Sequence, residues 1–303
     1  MFKTFPEFSK LTLNDRAEYE SYIKDFPPIG DTMFAGLMTW WNPLGHMSVS
    51  MLNDNLVVPY WLPGDEKNSG LSLLGTNKID ESFCTIFDYL RDKGEQARLV
   101  NVPEFVISSV RYPEMFTFKG ERCRDEYVLS ATQFYPLKNM GGFRRRKVER
   151  VLRAVGEENI IVKSLDLDIA EHRDMLIDAA LKWQAKNINN YGKLEEEAMR
   201  TAITHASILD TENACLFVDG QLHGFCLYVT PRDKRYILVH CIKATNKDAL
   251  GFELMAYAFC KWFTDKGVLY ANVNSDYGLM RLRMFMLTLG PVNYFRKYIV
   301  EPA

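Results

Sequence analysis

The clearest pattern of apolar and polar positions lies near the C-terminal end of the chain. Four apolar residues recur there at spacings of three or four, which predicts an amphipathic helix: Leu279, Leu282, Met286 and Leu289. A β-rich run at 267–273 precedes this pattern and predicts a strand. Asp276 lies between the two, where an aspartate can accept hydrogen bonds from the first free N–H groups of a helix. We therefore predict a strand, an N-cap at Asp276 and then a helix.

One cation in this predicted helix stands out by its position. Arg283 falls among the apolar residues, whereas Arg281 points to the opposite face. A guanidinium beside a core stripe is costly unless it meets an anion or carbonyl acceptors. Arg283 is therefore a candidate for binding an anionic group, and a buried structural salt bridge is the alternative interpretation.

Elsewhere, helical and strand-like patterns follow one another along the whole chain. The first half has helical patterns at 14–25, 31–41 and 80–93, and strand-like runs at 46–52, 56–62, 71–74, 98–102, 115–119 and 126–130. The second half has helical patterns at 142–155, 169–185, 194–207 and 250–266, and strand-like runs at 160–165, 214–218, 222–229, 236–242 and 293–300. Asp219 and Gly220 predict a tight hairpin turn between two of these strands. This order predicts an α/β (α+β) fold of two lobes, residues 1–135 and 136–303.

The helix predicted at 142–155 combines an apolar stripe with many cations. Its apolar positions recur at i, i+3, i+4 and i+7: Val148, Val151, Leu152 and Val155. Between residues 138 and 153 there are seven basic residues and one acid, although the net charge of the chain is −2. Such a concentrated cationic site favours a polyanionic ligand, and a solvated helix face is the alternative.

Composition places the chain among ordinary soluble proteins. Hydrophobic residues make up 47% and charged residues 25%, and no apolar run approaches the ~18 residues of a membrane span. Six cysteines are scattered without a CxxC pair, and the first residues do not resemble a secretion signal. We therefore expect a cytoplasmic protein. The five histidines show no metal-binding spacing, so no metal site is predicted. His240 is interpreted as a satisfied core histidine, and a role as a base is the alternative.

Three stretches resemble the family named for the C-terminal domain of phosphatidylglycerol lysyltransferase, whose members pair two GNAT-like lobes. The first stretch contains Tyr127-Val128-Leu129, Leu137 and Arg144-Arg145-Arg146-Lys147-Val148. The second contains Val218-Asp219-Gly220, Leu222, Gly224, Val239-His240, Lys243 and Gly251. The third, and the most specific, contains Asn274-x-Asp276-x-Gly278, Leu282-Arg283, Thr288, Pro291, Arg296-Lys297-Tyr298 and Val300.

The resemblance implies two GNAT-like lobes, each a mixed sheet flanked by helices, with the active site in the C-terminal lobe. It also implies transfer of an aminoacyl group from aminoacyl-tRNA to an amine or hydroxyl acceptor, which is a small molecule, a peptide or a lipid headgroup. No other cofactor is required for this chemistry. The expected catalytic residues are Asn274, Asp276 and Arg283. The expected donor-binding residues are Arg144, Arg145, Arg146, Lys147, Lys243 and Lys297.

One departure from the family pattern keeps two other functions open. Met286 stands where the family usually has a lysine, which removes a cation from the predicted cleft unless Lys297 compensates. The first alternative is an acyl-transferase that uses acetyl-CoA or another acyl-CoA. Against it, the segment where a GNAT protein binds pyrophosphate (244–251) has a single glycine and an aspartate, Asp248. The second alternative is a GNAT-like binding protein without catalytic activity.

Overall fold

The computed structural model describes residues 1–41, 47–60, 69–185, 192–245 and 251–303. The chain forms two compact units, and the division differs from the predicted boundary near residue 135. Unit 1 consists of Met1–Tyr127 and Ser275–Ala303, and unit 2 consists of Val128–Asn274. The last 29 residues, expected in the C-terminal lobe, therefore belong to the same unit as the N-terminus.

The helices and strands follow one another in chain order. The first part of unit 1 contains β1 (Ser9–Lys10), α1 (Arg16–Ile23), α2 (Phe34–Gly36), a π-helical turn (Leu37–Trp41), β2 (Ser48–Leu52), β3 (Asn55–Tyr60), β4 (Gly70–Leu74), α3 (Ile79–Asp92), β5 (Leu99–Pro103), α4 (Glu104–Ile107) and β6 (Phe116–Gly120). Next come β7 (Glu126–Ser130), α5 (Gly142–Val155), β8 (Ile160–Lys163), α6 (Ala170–Ala185), α7 (Gly192–Thr204), α8 (Ala206–Leu209), β9 (Thr211–Val218), β10 (Gln221–Val229), β11 (Tyr236–Ala244), α9 (Gly251–Asp265) and β12 (Tyr270–Asn272). The chain ends with α10 (Met280–Thr288), β13 (Asn293–Phe295) and β14 (Lys297–Pro302).

Unit 1 is built on a mixed sheet with the strand order β1-β2-β3-β4-β5-β14-β6. The β4–β5 pair is parallel, with α3 as the connection, and the other described pairs are antiparallel. One face of α3 packs on this sheet through Phe83, Ile86 and Phe87, which are buried with Val57 and Val300. Because β14 lies between β5 and β6, the C-terminal strand completes the sheet that the N-terminal half begins.

Unit 2 is built on a second mixed sheet, in which strands pair in the order β7-β12-β11-β10-β9-β8. Here the parallel pair is β11–β12, with α9 as the connection. Apolar clusters cover both faces: one includes Leu176 of α6 and Ile203 of α7, and the other includes Phe259 of α9. The fold class is therefore confirmed as mixed α+β, with two mixed sheets flanked by helices.

Two local predictions in unit 2 can be compared with the structure directly. Asp219 and Gly220 have φ angles of 48° and 75° and join β9 to β10, which confirms the hairpin. In α5, Val148 is fully buried and Val155 packs against the α9 cluster, so the predicted apolar stripe is the packed face. The residues at 246–250, where a coenzyme A pyrophosphate would be expected, and His46 lie outside the described residues.

Candidate functional site

The corner before α10 differs from the prediction. Tyr277 and Gly278 have φ angles of 48° and 78°, which lie in the left-handed region and interrupt a helix. The helix consequently begins at Met280, with Leu279 as its N-cap residue. The predicted N-cap role of Asp276 is therefore wrong. Instead, Asp276 Oδ1 accepts a hydrogen bond from the Gly278 N–H at 2.9 Å and closes the turn.

Asp276 also binds Arg283 through two hydrogen bonds. Arg283 Nε donates to Asp276 Oδ2 at 2.8 Å, and Arg283 Nη2 donates to Asp276 Oδ1 at 2.9 Å. The Asp276 side chain is fully buried, whereas the Arg283 side chain is 26% exposed. The anionic partner that the sequence requires for Arg283 is thus supplied within the chain. The arginine still reaches the surface of unit 1.

The ionisation of Asp276 follows from these contacts. Burial by itself would raise the pKa of Asp276, but hydrogen bonds from Arg283, Tyr127 and the Gly278 N–H hold that pKa below its usual range. A carboxylate with this pKa and these donors is a poor proton acceptor. Its geometry instead suits it to hold Arg283 in a fixed orientation.

Tyr127 and Arg122 complete this cluster in unit 1. The Tyr127 hydroxyl donates to Asp276 Oδ2 at 2.6 Å and accepts from Arg122 Nη2 at 3.0 Å. The Arg122 guanidinium lies 4.8 Å from the centroid of the Tyr127 ring and 4.9 Å from that of Tyr294. Arg122 Nη1 is 4.0 Å from Asp276 Oδ2, so two arginines flank one carboxylate.

Sequence reasoning missed Arg122 and gave Tyr127 no role at the site. Tyr127 stands in the first stretch that resembles the family, and this resemblance is the feature of the sequence that could have pointed to Tyr127 as a site residue. It is 149 residues from Asp276 in the chain, so no spacing rule could join the two. Arg122 precedes β7 in a polar loop and is not distinguished there from any solvated arginine.

Lys297 lies in a buried network of unit 1 and not at the surface expected for donor binding. Its ammonium donates to Asp31 Oδ1 at 2.6 Å and to Glu126 Oε1 at 2.9 Å, and the side chain is fully buried. Burial would lower the pKa of Lys297, but the carboxylates of Asp31 and Glu126 raise it above its ordinary value. Asn101 joins the network by donating to Asp31 Oδ2 at 2.9 Å. In this structure the ammonium of Lys297 cannot meet a ligand in solution.

Lys243, in unit 2, is also paired within the chain. Its ammonium forms an ion pair with Glu195 of α7 and lies 3.6 Å from the centroid of the Trp183 ring on α6. The side chain is only 8% exposed. A carboxylate and an aromatic face therefore already surround the cation that was expected to bind the donor.

Asn274 and His240 lie where β11 and β12 separate in unit 2. The last β11–β12 pair is Leu238 with Asn272, and beyond it Asn274 Nδ2 donates to the Val239 carbonyl at 2.7 Å. His240 is buried, as expected for a core histidine. However, its Nε2 has no hydrogen-bond partner among the described residues, so the interpretation as a satisfied histidine is wrong. Burial lowers the pKa of His240 to about 4, so its imidazole is neutral.

The cations of α5 divide into paired and exposed groups. Arg145 and Arg153 lie 3.2 and 3.8 Å from Glu149, and Lys147 lies 3.0 Å from Glu253 of α9. Arg144 instead packs over the Phe134 ring, with 5.4 Å between the guanidinium carbon and the ring centroid. The other cations of the helix, Arg146 and Arg150, are exposed and four residues apart, on one face. The outer face of α5 is therefore strongly basic in spite of two acidic partners.

Neither a membrane-spanning helix nor a metal-binding group is found among the described residues. No helix within them is both long enough and apolar enough to cross a bilayer. Within the same part of the chain, no three histidine, cysteine, aspartate or glutamate side chains come together as a group that could hold a metal ion.

Comparisons with known proteins agree with the two-sheet architecture. A protein of unknown function from Bacteroides thetaiotaomicron superposes with a TM-score of 0.79 at 19% identity, covering 98% of this chain and 99% of that one. The C-terminal domain of a putative lysylphosphatidylglycerol synthetase from Agrobacterium fabrum gives 0.61 at 14% identity, covering 95% and 92%. The L-PGS structure from Bacillus licheniformis gives 0.59 at 14% identity, with the same coverage. At these identities the structural similarity shows a shared fold.

The family of this chain is assigned from its sequence. No curated relative matches the chain. The profile of the family described as phosphatidylglycerol lysyltransferase, C-terminal, matches residues 28–301, which is nearly the whole chain. The chain therefore belongs to the phosphatidylglycerol lysyltransferase C-terminal family and is an acyl- or aminoacyltransferase.

Proposed function

We propose that this protein moves an aminoacyl group from aminoacyl-tRNA to an amine or hydroxyl acceptor. The supporting observation is the basic outer face of α5, where Arg146 and Arg150 are exposed within a segment of seven cations and one acid. A nucleic-acid backbone is a polyanion with regularly spaced charges, and such a face binds it by releasing counterions. An acyl-coenzyme A has fewer phosphates and does not need an extended cationic face.

The proposed reaction needs positioning and electrostatic stabilisation more than a dedicated nucleophile. The acceptor nitrogen or oxygen attacks the ester carbonyl of the aminoacyl group, the bond to the terminal ribose oxygen of the tRNA breaks, and the proton of the acceptor goes to that oxygen. Negative charge develops on the carbonyl oxygen during the attack. Arg283 is a suitable cation for it, because two of its nitrogens are fixed by Asp276 while part of the group remains exposed.

In this proposal Asp276 is a positioning residue and Asn274 a binding residue. Asp276 fixes the guanidinium of Arg283 and does not remove the proton of the acceptor, since its pKa is held low. Asn274 donates its amide N–H to the Val239 carbonyl, which fixes the side chain so that its oxygen can accept from the ammonium of an aminoacyl group. Arg122 adds a second cation beside Arg283, through Tyr127.

The test is tRNA binding measured over a series of salt concentrations by filter binding. We expect the logarithm of the affinity to fall linearly with the logarithm of salt, with a slope of about −0.7 to −0.9 for each phosphate contact. The double variant Arg146→Gln with Arg150→Gln is expected to reduce that slope by roughly one to two units. A matched control, Arg91→Gln with Lys119→Gln, removes two exposed cations from unit 1 and should leave the slope unchanged.

Three results would count against the proposal. Binding that does not depend on salt would exclude a phosphate-mediated complex. Equal losses in both double variants would show a general effect of net charge. Thermal stabilisation of the protein by acetyl-coenzyme A but not by tRNA would favour the acyl-coenzyme A donor instead, because a ligand raises the melting temperature only of a protein that binds it.

A further inference from the structure

His240 stands at an irregularity of the unit 2 sheet. In the β10–β11 ladder two consecutive residues of β10 pair with Val239 and Cys241, so His240 between them has no opposite residue in β10. Such a β-bulge re-aims the side chain of the extra residue, and bulges are common beside active sites. On the other side of β11, the pairing with β12 ends at Leu238, two residues before His240. His240 therefore has no opposite residue in either neighbouring strand.

The strands β11 and β12 separate at this point. Beyond the last pair, the chain turns out of the direction of β12 at Asn274, whose φ is 63°. The side-chain amide of Asn274, and not a backbone group, reaches β11 by donating to the Val239 carbonyl at 2.7 Å. Paired strands lie only ~4.8 Å apart, so a side-chain amide fits between two backbones only where they have moved apart. The gap that results lies next to His240 in the sheet.

The imidazole of His240 has an unused nitrogen. The residue is 6% exposed, and its Nε2 has no hydrogen-bond partner among the described residues. Native proteins leave few buried polar atoms without a partner, because each of them loses its hydrogen bonds to water and gains none in return. A hydrogen-bonding group of a ligand at the gap would supply the missing partner.

The surroundings of His240 favour an uncharged ligand group. Burial lowers the pKa of His240 to about 4, and no charged side chain of the described residues contributes to this shift. Lys243, the cation of the same strand, is already paired with Glu195. A cationic group beside His240 would lose its hydration without a carboxylate to offset the loss. An apolar group would leave Nε2 without a partner.

A hydroxyl or an amide group satisfies Nε2 in either tautomer of the imidazole. A neutral imidazole has one donor and one acceptor nitrogen, and both a hydroxyl and an amide can donate as well as accept. A site that hydrogen-bonds one substrate group also discriminates against analogues that lack it, because its own buried polar atom is then left unpaired. His240 therefore has the properties of a residue that determines specificity.

On the basis of the aminoacyl transfer proposed above, we propose that His240 selects the aminoacyl group: its Nε2 hydrogen-bonds an uncharged polar side chain, a hydroxyl or an amide, that enters between β11 and β12. Asn274 binds the ammonium of the same aminoacyl group, so both contacts come from unit 2. His240 touches the side chain of the substrate and not its reacting carbonyl. It sets specificity and takes no part in the bond changes.

The test uses stable analogues of the end of an aminoacyl-tRNA, in which adenosine carries the aminoacyl group through an amide. Isothermal titration calorimetry of the full chain compares the seryl, alanyl and lysyl analogues. We expect the seryl analogue to bind about tenfold more tightly than either of the others, the effect of one buried hydrogen bond. In His240→Leu the preference for seryl over alanyl should disappear, whereas His240→Gln keeps a polar group and should retain part of it.

Two controls separate specificity from folding. His172→Leu replaces a partly exposed histidine of α6 and should keep the preference of the wild type. Binding of the alanyl analogue by His240→Leu would show that this variant is folded. In nitrogen NMR spectra of the wild type, the Nε2 resonance of His240 should move further with the seryl analogue than with the alanyl analogue, which a purely structural histidine would not show.

Three results would overturn the inference. Equal binding of the seryl and alanyl analogues to the wild type, or a seryl preference that survives in His240→Leu, would contradict the role of His240 and leave aminoacyl transfer in place. Tightest binding of the lysyl analogue would show that the site takes a cation. If no analogue binds to the wild type, the proposed function fails together with the inference.

Discussion

The positions of Lys297 and Arg283 show what decides the role of a single charged residue. Both were expected to face a ligand, yet Lys297 is enclosed by Asp31 and Glu126, which are 266 and 171 residues away in the chain. Arg283 finds its partner only seven residues away and stays partly exposed. A buried ammonium is stable only where carboxylates surround it. Which of the two cations remains available therefore depends on remote parts of the chain.

His240 is expected to make stability depend on pH. Its pKa is about 4 in the folded protein against an ordinary value of 6.5, so the unfolded chain binds more protons between these values. The stability that comes from the neutral His240 is therefore fully present above about pH 6.5 and is lost as the pH falls towards 4. Over this range the free energy of unfolding falls by at most roughly 3 kcal/mol. His240→Gln should flatten the curve of unfolding free energy against pH, measured by urea denaturation.

A matched variant separates this effect from the general loss of an imidazole. His172→Gln removes a partly exposed histidine of α6 and serves as the variant in which an imidazole is lost elsewhere in the chain. Parallel pH curves for the wild type and His240→Gln would contradict the prediction. An NMR titration of His240 with a midpoint near 6.5 would contradict it as well.

At the scale of elements, apolar periodicity predicted the helices well and their ends less well. The stripe of α5 packs as expected, because a period of 3.6 residues determines which side chains share a face. The start of α10 was missed by three residues, because Tyr277 and Gly278 adopt left-handed φ angles that a pattern of apolar residues does not report. That corner directs Asp276 towards Arg283 and Tyr127.

Gly278→Ala is therefore expected to weaken the corner before α10. A Cβ at this position would meet no atom closer than 3.8 Å, so the cost comes from the backbone, whose φ is 78°. A left-handed conformation costs an alanine about 1–2 kcal/mol of folding free energy. Urea denaturation should show a loss of this size. In the control Gly120→Ala, the new Cβ meets nothing within 4 Å and φ is not in the left-handed region, so little change is expected.

At the scale of the whole molecule, the order of strands in space departs from their order in the chain. A linear division into two lobes follows from the sequence, because each half repeats helices, hairpins and a strand–helix–strand connection. The structure instead inserts β14 between β5 and β6, and places β7 beside β12 in the other sheet. Unit 1 is therefore discontinuous, and its sheet requires both ends of the described chain.

Two fragments test this division. Residues 126–274 contain strands β7 to β12 and are expected to unfold cooperatively, with dispersed NMR signals. Residues 136–303 follow the linear boundary, lack β7 and include β14 without β5 and β6. We expect this second fragment to aggregate or to show no cooperative transition by circular dichroism. A cooperative transition in 136–303 but not in 126–274 would show that the linear boundary is the better description.

The sequence by itself determined the mixed α+β class, the hairpin at Asp219–Gly220, the packed face of α5 and the family. These depend on local periodicity, turn chemistry and matching residues, all of which are present in the order of the amino acids. Only the tertiary structure decided that Asp276 binds Arg283 and Tyr127, that Lys297 is buried and that β14 belongs to unit 1. The physical reason is that burial and ion pairing depend on which distant segments meet, and neither periodicity nor spacing records such meetings.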